Sequence, residues 1–169
     1  MTTPRPVSRR TATTAALWSA PVLLAASAAP LAAASTAVSA SLGIVSGGLA
    51  NGGGDLYAGQ FTPVVSAARD SEPVRDIVAR ITFDTGDSDV VLSDFVLEEG
   101  PWVVVEPLGS RTPGVVVLAW SDATGLRDGE SPVPPQFSVH ASGYIVSCLV
   151  SLTSTSAAPI EDYLTIAVV

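Results

Sequence analysis

Three carboxylates lie within six residues at Asp84, Asp87 and Asp89, and Asp94 follows shortly after. Aspartates this close support two kinds of chemistry. Two carboxyls in contact resist ionising together, so one serves as an acid and the other as a base. Carboxylates gathered in a loop can instead hold a hard cation, and calcium takes about six to eight oxygens from such clusters. The catalytic candidates are therefore Asp84, Thr85 and Gly86, and the metal candidates Asp84, Asp87 and Asp89. No Asp-x-Asp-x-Asp-Gly loop is present, so the spacing specifies no cage. The third and favoured reading is a solvated turn between two strands, because Asp and Gly are the residues turns prefer and so short a motif recurs by chance.

The run Ile81-Thr82-Phe83-Asp84-Thr85-Gly86-Asp87-Ser88 resembles the active-site loop of aspartic proteases, in which an apolar strand enters Asp-Thr-Gly. The resemblance implies a dimer of the retroviral type, since the loop occurs once. A flap would then fall in the Gly109 to Gly114 hairpin. That family also packs two apolar residues and a glycine beneath its loop. Neither Tyr144-Ile145-Val146 nor Leu164-Thr165-Ile166 supplies the glycine, and Asp87 adds negative charge.

Other reactive side chains are few. His140 alternates with Phe137 and Val139 onto an outward face, and no Gly-x-Ser-x-Gly elbow accompanies Ser138 or Ser142. One histidine and one cysteine cannot build a zinc site. Cys148 alternates with Tyr144, Val146, Val150 and Leu152 and reads as a small core hydrophobe. Trp102 and Trp120 could offer a sugar platform, although tryptophan beside apolar strands is more often core. No cofactor is expected, and calcium is the one candidate ion.

From Phe61 onward β-branched runs alternate with Pro, Gly and Asp, and no helical period occurs. The fold class is all-β, an antiparallel sandwich of seven to nine strands over residues 58–169. Strands are placed at 61–68, 77–83, 91–97, 102–106, 115–120, 135–139, 143–153 and 164–168. Ile77, Ala79, Ile81 and Phe83 point inward, and turns recur about every dozen residues, as in sandwiches. Residues 35–57, rich in Ser, Ala and Gly, are expected to be flexible, with at most a short strand near 42–45.

These elements follow an export address. Arg5, Arg9 and Arg10 precede an acid-free apolar stretch, and Ala32-Ala33-Ala34 offers a peptidase site, so residues 1–34 read as a cleavable signal peptide. Ser8-Arg9-Arg10 resembles the opening of twin-arginine signals, which carry folded cargo. Ala12, Thr13 and Thr14 depart from the bulky residues that family prefers, so the general secretory route stays open. Cutting after Ala34 leaves five arginines against sixteen acids, a balance of −11, and no lysine. Such a surface repels phosphate backbones and anionic lipid, so neither nucleic acid nor membrane is an expected partner after cleavage. With one cysteine, no internal disulfide can form, and packing alone must hold the domain.

Several pieces resemble the immunoglobulin-like domains of exported wall and surface proteins of high-GC Gram-positive bacteria. They are Gly100-Pro101-Trp102, the apolar strand ending near Ser121, the loop Thr124-Gly125-Leu126-Arg127-Asp128-Gly129-Glu130, the strand at Phe137 to Val139, and the closing Asp162-Tyr163-Leu164-Thr165-Ile166-Ala167-Val168. The resemblance implies a non-catalytic structural or adhesive module, secreted or held non-covalently at the wall, with a protein or glycan of the cell exterior as partner. A calcium- or carbohydrate-binding module is the further alternative. The chain ends in strand-like sequence without a sorting motif, which points away from covalent anchoring.

Overall fold

A computed structural model describes residues 39–168. Among the described residues, ten strands form two five-stranded sheets packed face to face. In chain order they are β1 (Ala40–Asn51), β2 (Leu56–Ala67), β3 (Val74–Asp84), β4 (Leu92–Leu97), β5 (Trp102–Glu106), β6 (Val115–Leu126), β7 (Gln136–Ala141), β8 (Ser147–Thr153), β9 (Ile160–Tyr163) and β10 (Thr165–Val168). The first sheet runs β10-β1-β2-β7-β4 and the second β5-β6-β3-β8-β9. The all-β sandwich expected from sequence is present, with three differences.

First, most of the segment expected to be flexible is a twelve-residue strand. β1 pairs with β2 from Ala40 to Asn51, and a bulge between Ile44 and Ser46 switches the inward side chains from Ala40 and Leu42 to Leu49 and Asn51. This switch hides the period-2 pattern, because a one-residue shift exchanges the two faces of a strand. The small residues also have a packing role. A Cβ on Gly47 would lie 2.5 Å from Leu164 Cδ2, so the gap left by glycine is filled by a leucine from the other end of the chain.

Second, the closing strand is two strands in different sheets. β9 pairs with β8, the buried Leu164 donates its N–H to Cys148 O at 2.8 Å, and β10 then crosses to pair with β1. Third, the β1–β10 pair is parallel, so the first sheet is mixed rather than antiparallel throughout.

The core between the sheets takes Ile77, Ala79, Ile81 and Phe83 from β3, as the alternation requires, with Val116, Leu118 and Trp120 from β6. Each fully buried Ile or Leu contributes about 1.5–3 kcal/mol. Phe61 meets Trp102 edge-on at 6.0 Å, and Phe137 lies against Phe83 at 6.1 Å and Phe95 at 5.6 Å. Trp102 also donates Nε1–H to Val133 O at 2.7 Å, which satisfies its polar atom. Tyr144 and Val146, expected to face inward with Cys148, are exposed; β8 starts only at Ser147, and the alternation holds from Cys148 through Val150 to Leu152.

Candidate functional site

The acidic segment leaves β3 at Asp84, at the rim of the sandwich. Asp84 Oδ1 accepts the Gly86 N–H at 2.9 Å, Thr85 Oγ1 donates to Asp87 O at 2.8 Å, and Asp87 Oδ1 accepts the Asp89 N–H at 3.0 Å. Gly86 has φ +66°, a left-handed conformation that glycine adopts without strain. Each of these side chains thus serves a nearby backbone group, as Asx turns do. Val146 N–H closes the turn from across the sheet on Asp84 O at 2.7 Å.

A cleft of about 570 Å³ opens between this turn and the hairpin carrying Leu108, Gly109, Pro113 and Gly114. The hairpin therefore lies where the protease resemblance would put a flap. Asp84 nevertheless stands exposed on a turn and spends a carboxylate oxygen on Gly86. Among the described residues, no three His, Cys, Asp or Glu side chains converge as a metal cage. Arg9, Arg10, Ala32 and Ala34, the predicted export and cleavage residues, lie outside the described residues.

The remaining reactive candidates serve structure. His140 is half-buried on β7, with Nδ1 3.4 Å from Asp55 Oδ2. Ser142 Oγ accepts the Val91 N–H at 2.9 Å. Cys148 is fully buried, and loss of solvent pushes its thiol up to about 12. Trp102 and Trp120 sit opposite each other on β5 and β6 and are both buried, so neither forms a sugar platform.

The surface with the strongest chemical character is the outer face of the second sheet. Cross-strand register aligns Val103, Ala119, Val78 and Thr153 in one row, and Glu106, Val117, Arg80, Ser151 and Glu161 in the next. A third row carries Val115, Thr82, Leu149 and Tyr163. Val115 and Val117 are buried yet lie outside the core cluster. Val103 is 59% exposed, Tyr163 66%, and Val105, inserted by a bulge in β5, 56%. Five strands about 4.8 Å apart make this face roughly 20 Å wide.

The sequence did carry a signal for this face. The runs at 102–106 and 115–120 are almost continuously apolar, whereas a strand with one wet face alternates. Only the sheet order shows that, among the described residues, no third sheet packs on the second apolar side of these strands.

Arg80 is exposed at the centre of the face, on the central strand of its sheet. The ion pairs among the described residues are Arg111–Glu106 at 3.1 Å and His140–Asp55, so Arg80 has no carboxylate partner there. Glu161, two strands away, accepts Ser151 Oγ–H at 2.7 Å.

No protein-family profile matches the chain, and no curated protein matches it. Among solved structures it is similar to a cohesin module of a Clostridium perfringens family 33 glycoside hydrolase, at 12% identity and TM-score 0.45, covering 77% of this chain and 98% of the module. It is also similar to the C. elegans Cep-1 DNA-binding domain at 10% identity and TM-score 0.39, over 77% of this chain and 89% of that one. A third similarity, at 12% identity and TM-score 0.31, is to a chain of the Streptococcus parasanguinis Fap1 fimbriae, over 70% and 76%. These are likenesses of fold, and they extend over proteins of different function.

Proposed function

We propose that this chain is an exported, non-catalytic binding module that docks a protein partner on the outer face of its second sheet. The observation that carries this reading is the exposure of Val103, Val105 and Tyr163 on a sheet face to which Val78 and Leu149 add half-buried apolar side chains. Exposed apolar side chains gathered on one sheet face suit an interaction surface. Tyrosine and arginine beside aliphatic side chains are also the composition of protein interfaces. A protein partner suits the face better than a glycan, because both β-sheet tryptophans are committed to the core. The leader, the cleavage site and the acidic, lysine-free remainder support export.

Fractionation of a host producing the tagged chain tests both halves. Replacing Arg9 and Arg10 by lysine is expected to hold the chain in the cytoplasm if the twin-arginine route carries it, and secretion at the wild-type level would assign the general route. Val103→Asp with Val105→Asp is expected to leave export intact and to release surface-retained protein into the medium. Unchanged retention of a folded double variant would count against this face.

A further inference from the structure

Another recess opens where the turn between β1 and β2 meets the loop between β7 and β8. It is lined by Asn51, Gly53 and Asp55 on one side and by Ser142 and Tyr144 on the other, with Tyr57 of β2, and its volume is about 520 Å³. Small-ligand sites span roughly 300–1,000 Å³. Two buried donors set its chemistry. Asn51 is 8% exposed and Tyr57 2%. Asn51 Oδ1 accepts the Gly53 N–H at 2.9 Å, which fixes the amide's orientation and leaves Nδ2 without a hydrogen-bond partner among the described residues. No fully buried side-chain nitrogen or oxygen goes unpaired among those residues, so Nδ2 belongs to the little surface that Asn51 still exposes, on the recess it lines. The Tyr57 hydroxyl accepts the Ile145 N–H at 3.3 Å and keeps its own proton to donate.

The more exposed groups differ in character. The Asp55 carboxylate, 68% exposed, has only His140 Nδ1 beside it at 3.4 Å and accepts further hydrogen bonds. Tyr144 is 74% exposed and offers an aromatic ring to whatever enters. Together these groups exclude ligand classes in turn. A metal ion or an ammonium would meet the Asn51 and Tyr57 dipoles positive end first. A carboxylate or phosphate would meet Asp55 and the acidic balance of the chain. An aliphatic ligand would cover both donors and leave them unpaired. A sugar ring carries hydroxyls, each able to accept and donate, on adjacent carbons, and an apolar C–H face besides. We propose that this recess binds a neutral saccharide unit. Its hydroxyl oxygens accept from Asn51 Nδ2 and Tyr57 Oη, another hydroxyl donates to Asp55, and its C–H face lies on the Tyr144 ring. The site is separate from the outer face of the second sheet and does not depend on that face's role.

Saturation-transfer NMR on the full-length chain tests this, with glucose, galactose, mannose and N-acetylglucosamine as probes at millimolar concentration. At least one is expected to receive transfer, and its titration gives a Kd. Tyr144→Ala removes the exposed ring, and Asn51→Asp keeps the bond to Gly53 while turning the donor into an acceptor. Each should weaken binding roughly tenfold or more, whereas Val103→Asp on the sheet face should leave it unchanged. Melting curves control for folding, and if Asn51→Asp does not fold, Tyr57→Phe takes its place by removing the hydroxyl alone. No transfer to any of the four sugars, or a Kd unchanged by Tyr144→Ala or by the Asn51 or Tyr57 variant, would overturn the site. Tighter binding of glucuronate than of glucose, or of N-acetylglycine methylamide than of every sugar, would overturn the assignment to a neutral saccharide.

Discussion

Gly59→Ala adds one methyl group and should cost more stability than its size suggests. Gly59 is on β2 in the inward row, opposite Leu49 of β1 and Phe137 of β7. A Cβ there would lie 2.6 Å from Phe137 Cζ, 2.8 Å from Cε2 and 2.9 Å from Leu49 Cδ1. Carbon contacts prefer about 3.5–4.0 Å, so the ring would have to retreat by roughly 1 Å. Phe137 cannot do so freely, since Phe95 stacks against it at 5.6 Å and Phe83 abuts it at 6.1 Å. Overpacking of this kind costs about 1–3 kcal/mol, offset by about 0.4–1 kcal/mol from the less flexible unfolded chain. A net loss of about 1–2 kcal/mol lowers Tm by roughly 4–8 °C for a domain of this size. Thermal unfolding followed by circular dichroism reads the shift. Gly52→Ala is the control, because its Cβ would meet nothing nearer than Leu56 O at 3.8 Å. Adding Phe137→Leu should make the double variant less unstable than the sum of the singles. If Gly59→Ala melts within a degree of wild type, the claim that the Phe137 ring fills the space left by this glycine is wrong.

Cys148, fully buried with its thiol pushed up to about 12 by loss of solvent, is expected to resist a thiol reagent at pH 8 until denaturant is added; prompt stoichiometric labelling of native protein would contradict the packing. Hydrogen bonds from Thr124 Oγ1, Thr124 N–H and Gly125 N–H hold the Asp122 carboxyl below its ordinary value of 3.8. A depressed folded-state pKa stabilises above the unfolded pKa and is lost as pH falls through the folded one. The Tm difference between wild type and Asp122→Ala should therefore be full at pH 7 and close below about pH 4, and a gap that widens in acid would refute the assignment. Calcium at millimolar excess is expected to leave Tm unchanged, because the Asp84 and Asp87 carboxylates already serve the turn's own N–H groups; a rise with calcium would show that these carboxylates can be recruited by the ion.

Much of the sandwich was legible because a strand buried on one face writes its period into the sequence. Ile77 to Phe83 and Phe137 to Val139 alternate as they are buried. β1 was not legible as a full strand, since its bulge reverses the period midway and glycine supplies no apolar signal. Its packing depends on Leu164 and Phe61, neither near it in sequence, and no local pattern reports that. The acidic motif illustrates the converse: Asp-Thr-Gly offered both a chemistry and a turn, and the hydrogen bonds from Asp84 to Gly86 and Thr85 to Asp87 are those of a turn.

By itself the sequence determined the all-β class, the inward faces of the central strands, the lack of any internal disulfide and the acidic balance. These follow from residue type and local period, which act over a few neighbouring positions. Only the tertiary structure decided which strands stand side by side, and hence that Val103, Val117, Val78, Leu149 and Tyr163, drawn from five separate strands, share one face around Arg80. Cross-strand neighbours are set by sheet order and register, which link residues far apart along the chain.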